Sequence, residues 1–184
     1  MLRDRIAAVN ASADAEAEAL LQPFRPVAGF TPMPRHDHLR RLARRWRALP
    51  AFGRLRLVAK FDFGKLQIVE LRVAPAGIVA AGWSEEEPAF AVMLRTVAIA
   101  PPEFVETTRL LAAVGLHGLA RRFERGADRT DDAVLRDLLP LACGCPAAIR
   151  AGGDFAIPVP GTGAWIGAIA ADGATALART FVDG

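Results

Sequence analysis

The sequence has very few of the residues on which common hydrolase and nucleotide chemistry depends. Its only serines are Ser12 and Ser84, and neither lies in the strand–turn–helix elbow of a serine hydrolase. Its only lysines, Lys60 and Lys65, provide no phosphate-loop lysine. The glycines from Gly161 onward open a final hairpin with too little chain for a βαβ unit. These absences argue against a serine hydrolase and against a phosphate-loop nucleotide enzyme.

Cysteine is equally scarce, since Cys143 and Cys145 are the only two. Two cysteines do not form a disulfide framework, and this composition is typical of a reducing compartment. They could bind a metal together with His36 and His38. However, zinc sites usually have wider spacings such as C-x2-C, and the two histidines would point apart on a helix. We therefore expect neither a metal site nor a cofactor.

Long apolar runs are also missing from the chain. No stretch of about 18 uncharged apolar residues occurs, so no membrane span is expected. Charged residues in the first 20 positions interrupt the apolar stretch that a secretion signal needs. Together with the low cysteine content, these features predict a cytoplasmic protein without a membrane partner.

The chain does contain enough apolar material for a core, since 52% of its 184 residues are hydrophobic. This length predicts a single domain at residues 35–184, preceded by an N-terminal helix and a proline-rich arm at residues 1–34. The helix is expected over residues 2–21. The arm at residues 22–34 has four prolines and two phenylalanines. It is too apolar for a free linker and is expected to lie across the domain or a partner.

Hydrophobic periodicity gives the remaining elements. A period near 3.6 predicts helices at residues 36–49, 101–126 and 130–141. A period of two predicts strands at residues 54–63, 66–73, 78–83 and 155–159. Residues 84–99 fit a helix or a strand, and β-branched residues before two prolines favour a strand from about Ala89. The predicted fold is α+β, with an antiparallel sheet of about five to seven strands and three or four packed helices.

The clearest hairpin pattern occupies residues 163–182. Two runs of small and apolar residues flank Asp172 and Gly173, and an Asp-Gly pair favours a type I′ turn. This turn predicts the cross-strand pairs Ala171–Ala174, Ile169–Ala176, Ala168–Leu177 and Ile166–Arg179.

Charge is unevenly distributed along the chain. Residues 35–65 carry ten basic and two acidic side chains, a net charge of +8, whereas the whole chain has a formal charge of +3. The predicted helix at 36–49 places arginines one turn apart, which costs roughly 0.2–0.5 kcal/mol per pair unless an anionic partner neutralises them. Acidic neighbours from elsewhere in the fold would explain the same pattern. The candidate nucleic-acid-binding residues are Arg40, Arg41, Arg44, Arg45, Arg47, Arg54, Arg56, Lys60 and Arg122.

His117 is the histidine with the most suitable surroundings for catalysis. It stands one helical turn before Arg121, where apolar residues give way to charged ones. A histidine can take the proton of a ribose 2′-hydroxyl near neutral pH, and arginines can stabilise the charge that develops on the phosphate. The candidate catalytic residues are His117, Arg121, Glu124 and Arg125. A structural histidine beside a solvated helix end is the alternative, and it is slightly favoured because His plus Arg on a helix is a pattern of low specificity.

Two classes of function follow from these patterns. The first is a small nucleic-acid-binding protein, with RNA favoured over DNA because the histidine chemistry requires a 2′-hydroxyl. In its finer form, this protein is a metal-independent, histidine-dependent ribonuclease. The alternative is a non-catalytic subunit that docks on an acidic protein partner through its arm and basic helix. A small-molecule enzyme that uses the His117 region is a third and weaker hypothesis.

Overall fold

The computed structural model describes residues 2–28, 32, 34–49, 54–75, 88–126 and 128–184. Within these residues the chain forms four α-helices and a seven-stranded sheet, which confirms the predicted α+β class. The helices are α1 (Leu2–Leu21), α2 (His36–Arg47), α3 (Leu116–Arg125) and α4 (Asp131–Ala151), with a 3₁₀ turn at Gln22–Phe24. The strands are β1 (Arg54–Asp62), β2 (Lys65–Pro75), β3 (Pro88–Ala100), β4 (Glu103–Gly115), β5 (Asp154–Val159), β6 (Gly163–Ile169) and β7 (Ala176–Asp183).

The sheet has the strand order β1-β2-β3-β4-β7-β6-β5. Neighbouring strands are antiparallel except for β4 and β7, which pair in parallel through residues 112–114 and 176–178. Helix α4 contacts both outer strands, β1 and β5, so the sheet curves around it. We call the side that faces α4 the concave face. Helix α2 and the C-terminal part of α1 pack on the opposite, convex face, whereas Ile6 near the start of α1 joins the core on the concave side.

The concave core is built around two aromatic side chains. Trp165 and Phe181 are fully buried, with their rings edge to face at 4.9 Å between centroids. The indole nitrogen of Trp165 donates a hydrogen bond of 2.8 Å to the carbonyl of Asp137 in α4. Because a buried indole N–H needs a partner, this bond fixes α4 against β6.

The convex core depends on the apolar stripe of α2. Leu39, Leu42 and Trp46 are buried, as their helical spacing predicts, and they pack with Ile68 and Val97 of the sheet. This packing turns the remaining positions of α2 toward solvent.

The predicted helix over residues 101–126 is wrong in its first half. Those residues form β4, which pairs along β3 from Glu103 to Gly115, and the helix begins only at Leu116. The β-branched residues Val105, Thr107 and Thr108 fit an extended strand. The helical pattern came from alanines and leucines, which β4 buries between its neighbouring strands.

Two other predicted elements change in extent. Strand β3 begins at Pro88, so the preference for a strand from about Ala89 is confirmed. The helix predicted at 130–141 starts as expected, with the Thr130 hydroxyl accepting a 3.3 Å bond from the Ala133 amide, but it continues to Ala151. Its two internal prolines cost helix stability, and burial of eight side chains along α4 offsets that cost. The strand predicted at 78–83 lies outside the described residues.

The C-terminal hairpin has a longer turn than predicted. Ala170 donates to the Thr175 carbonyl at 2.8 Å, so the Ala171–Ala174 pair of a two-residue type I′ turn does not form. The carboxylate of Asp172 accepts hydrogen bonds from the following backbone amides, which stabilises the wider loop. The pairs Ile169–Ala176 and Ala168–Leu177 are confirmed, whereas a β-bulge pairs Ile166 with Thr180 instead of Arg179.

Candidate nucleic-acid interface

One face of α2 is a dense array of exposed arginines, which we call the α2 arginine face. It consists of Arg40, Arg41, Arg44, Arg45 and Arg47. Two of them are held in place: Arg40 lies over the Phe61 ring at 5.4 Å, and Arg47 donates a 2.6 Å hydrogen bond to the Ala59 carbonyl. In the part of the chain that the structure describes, none of the five forms a salt bridge.

Several arginines elsewhere in the fold are instead neutralised by acidic side chains. On the convex face, Arg54 pairs with Glu70 at 2.6 Å, and Arg95 pairs with Glu106 at 2.6 Å. Glu106 also accepts a 2.6 Å bond from Arg25 of the arm. Glu70 and Glu106 are thus used within the sheet, and the arginines of the α2 arginine face have no ion pair among the described residues.

A pocket adjoins the α2 arginine face on the convex side of the sheet. Its volume is about 430 Å³, and it lies between α2 and the beginning of the arm. Phe24 and prolines of the arm provide an apolar wall, while His38, Arg41 and Arg45 provide polar groups. Sequence reasoning did not identify this pocket, although the apolar composition of the arm was a signal that it packs on something.

The basic residues of β1 do not extend the α2 arginine face. A β-bulge between Arg54 and Arg56 shifts the register, so Arg54 turns inward to Glu70 with only 8% of its side chain exposed. Lys60 is exposed but alternates with the inward-facing Ala59 and Phe61, which places it on the concave side. Arg54 and Lys60 therefore lie apart from the α2 arginine face, and their role in nucleic-acid binding stays a prediction. The side chain of Arg56 lies outside the described part of the structure.

Arg122 is also not a surface contact. It is 2% exposed, forms an ion pair with Asp137, and donates a 3.0 Å bond to the Asp128 carbonyl. Its guanidinium also lies over the Phe181 ring at 5.7 Å. The assignment of Arg122 to nucleic-acid binding is corrected, because its burial and these partners make it a structural link between α3 and α4.

The predicted catalytic residues are on α3 but do not converge. His117 is exposed in the first turn, and among the described residues it has no hydrogen bond, ion pair or ring contact. Arg121 pairs with Glu124 at 2.9 Å, and Arg125 donates a 3.2 Å bond to the Phe181 carbonyl. Arg121 and Arg125 are therefore engaged with other groups and do not form a common site with His117.

The α3 residues are also remote from the α2 arginine face. Phe104, near the start of β4, packs against the convex cluster that holds α2, whereas α3 follows the other end of that strand at Gly115. A strand rises about 3.3 Å per residue, so these eleven steps span roughly 36 Å. The two basic segments of the sequence form separate surfaces.

The cysteines and the N-terminal histidines of α2 also lie apart. His36 packs edge to face on Phe61 at 5.4 Å, on the convex side, while Cys143 belongs to α4 on the concave side. Burial raises the pKa of the Cys145 thiol to about 12. Among the described residues, no group of three or more histidine, cysteine or acidic side chains could hold a metal ion. None of the described helices is both long and apolar enough to span a bilayer.

No protein-family model, curated protein or solved structure matches the chain. Its function must therefore be argued from the geometry of its own residues.

Proposed function

We propose that the protein binds single-stranded nucleic acid in the cytoplasm, with RNA favoured over DNA, through the α2 arginine face. The observation that carries this proposal is the exposure of five arginines on one helix with no acidic partner in the described residues. Arginine forms bidentate hydrogen bonds with phosphate oxygens, and a row of such side chains can follow a phosphate backbone.

The pocket beside α2 supports a single strand over a duplex. Bases in single strands can leave the stack and enter apolar or aromatic pockets, while the backbone stays on a basic surface. Phe24 and the arm prolines supply the apolar wall, and Arg41 and Arg45 belong to both the pocket and the arginine face. A strand whose phosphates lie on α2 can therefore place one base in this pocket.

Reversing two charges on α2 tests the proposal. We expect Arg44→Glu combined with Arg45→Glu to weaken binding of a fluorescently labelled RNA oligonucleotide by about 10² or more at low salt, because two phosphate contacts become repulsive. The slope of log affinity against log salt should fall in magnitude by about 1.4, at about 0.7 per contact for single strands. Fluorescence anisotropy titrations at several salt concentrations measure both quantities.

A second charge reversal distinguishes RNA binding at the α2 arginine face from nonspecific attraction of RNA to the net positive charge of the protein. Arg150→Glu with Arg179→Glu changes the net charge equally, and both residues are exposed on other elements, α4 and β7. This variant should bind RNA nearly as the parent does. Equal losses in the two double variants, or an unchanged affinity after the α2 changes, would contradict the proposal. DNA and duplex RNA of the same sequence test the expected preference.

Ribonuclease activity at His117 is the finer part of the proposal. We expect His117→Ala to lower RNA cleavage by about 10² while RNA binding is retained. Because His117 is exposed, the free energy of unfolding of the His117→Ala variant should stay within about 0.5 kcal/mol of that of the parent protein. Cleavage, anisotropy and thermal unfolding are measured on one preparation, and cleavage at the parental rate would remove His117 from any catalytic role.

Docking on an acidic protein is less well supported by the described part of the arm. Phe24 packs against the convex cluster, and Arg25 pairs with Glu18 at 2.9 Å and with Glu106 at 2.6 Å. The beginning of the arm is thus engaged with its own domain. An acidic protein partner would have to bind at the α2 arginine face itself. If neither RNA nor DNA binds at low salt, this alternative is favoured over nucleic-acid binding.

A further inference from the structure

A second cavity lies on the concave side of the sheet, away from α2. Its volume is about 560 Å³, and it lies between β1–β4 and the middle of α4, open to solvent on one side. Sites for small organic ligands typically have volumes of about 300–1,000 Å³. Its apolar lining consists of Val58, Val69, Leu71, Leu94, Leu111, Ala142 and Pro146.

The apolar lining of this cavity is only partly covered by the fold. Val58, Val69, Leu71 and Leu94 are half-buried, whereas side chains of the neighbouring core are fully buried. An apolar molecule in the cavity would remove this surface from water. Each buried methylene would raise affinity about fourfold until the cavity is full.

The charged side chains that line this cavity are basic in the described part of the chain. Lys60 and Arg109 belong to the lining, and none of the described lining residues is a carboxylate. Both side chains are exposed, and in the described residues neither forms a salt bridge. The fitting ligand therefore has an apolar body and an anionic head.

We propose that this cavity binds a medium-chain fatty acid, with the hydrocarbon chain between the sheet and α4 and the carboxylate at Lys60 or Arg109. This site is independent of the proposed nucleic-acid surface, since α2 lies on the opposite face of the sheet. Decanoate is the probe, and decanol and decyltrimethylammonium carry the same chain with a neutral and a positive head.

The binding experiment uses calorimetry with the 184-residue protein. It compares ligands that differ in the length of their hydrocarbon chain and in the charge of their head group. Affinity should rise from hexanoate through octanoate to decanoate, and decanoate should bind at least tenfold more tightly than decanol. The ammonium compound should bind most weakly. Equal affinity for the three head groups, or no dependence on chain length, would overturn the proposal.

Cys143 reports on whether decanoate occupies this cavity. Its exposed thiol belongs to the lining, while Cys145 is fully buried, so a maleimide should label Cys143 alone. We expect saturating decanoate to slow labelling at least fivefold, and mass spectrometry identifies the modified residue. Binding of decanoate with unchanged labelling would place the ligand elsewhere and refute this site.

The last experiment replaces the basic residues Lys60 and Arg109 and leaves the apolar lining of the cavity unchanged. Lys60→Gln with Arg109→Gln should lower decanoate affinity at least tenfold and leave decanol affinity unchanged. Both residues are exposed, so the fold should persist, which thermal unfolding checks. The matched control, Arg44→Gln with Arg45→Gln on the convex side, removes the same charge and should bind decanoate as the parent does. Equal losses in the two variants would refute the assignment of the carboxylate to Lys60 or Arg109.

Discussion

Replacing Arg122 by alanine is expected to lower the free energy of unfolding by about 3–5 kcal/mol. Arg122 is 2% exposed, and its partner Asp137 is itself buried. Removal of one member of a buried ion pair leaves the other charge without compensation in a medium of low polarity. The change also frees the Asp128 carbonyl, which now accepts a 3.0 Å hydrogen bond from Arg122.

The neighbouring residue provides the control for this prediction. Arg121 also forms an ion pair, with Glu124 at 2.9 Å, but its side chain is 41% exposed and that of Glu124 is 60% exposed. Surface pairs of this kind contribute about 0–1 kcal/mol. Urea unfolding of the two alanine variants should therefore separate them by at least about 2 kcal/mol. Similar stabilities would show that the Arg122 pair is not a principal link between α3 and α4.

Replacing Glu70 by alanine should have a comparable effect on the convex side. Glu70 is 5% exposed, and its carboxylate accepts a 2.6 Å hydrogen bond from the buried Arg54 guanidinium. Without Glu70, this guanidinium retains a 3.2 Å bond to the Leu49 carbonyl but has lost its counter-charge. We expect Glu70→Ala to cost about 3–5 kcal/mol, measured by urea unfolding.

A double variant tests whether that cost comes from the unpaired charge. Arg54→Met with Glu70→Leu replaces the pair by apolar side chains of similar size, which is often neutral or stabilising for a buried pair. Most of the stability lost in Glu70→Ala should therefore return. If the double variant is as unstable as the single one, the loss arises from packing or from other residues of the network instead.

Local patterns predicted many of the elements but not the identity of residues 101–115. The apolar stripe of α2 and the alternation in β1 and β2 are properties of short segments, so the sequence was sufficient for them. In β4, leucines and alanines satisfy a helical period, and their pairing with β3 determines the outcome instead. Such pairing is a tertiary effect that overrides local propensity.

The candidate site shows the same division between local and distant information. Exposure of Arg44 and Arg45 follows from the helical period of α2, which the sequence displays. The burial of Arg54 cannot be predicted from the local pattern, because it depends on a bulge in β1 and on Glu70, sixteen residues away in the next strand. Likewise, Arg122 and Asp137 meet only when α3 and α4 are folded.

The parallel pairing of β4 with β7 has a consequence for synthesis of the chain. Residues 112–114 hydrogen-bond with residues 176–178, so more than sixty residues must leave the ribosome before β4 gains its second neighbour. Until then, the meander of β1–β4 presents an open, apolar edge that can pair with other chains. Contacts of such long sequence separation also slow folding. The nascent protein thus passes through a period in which aggregation competes with completion of the sheet.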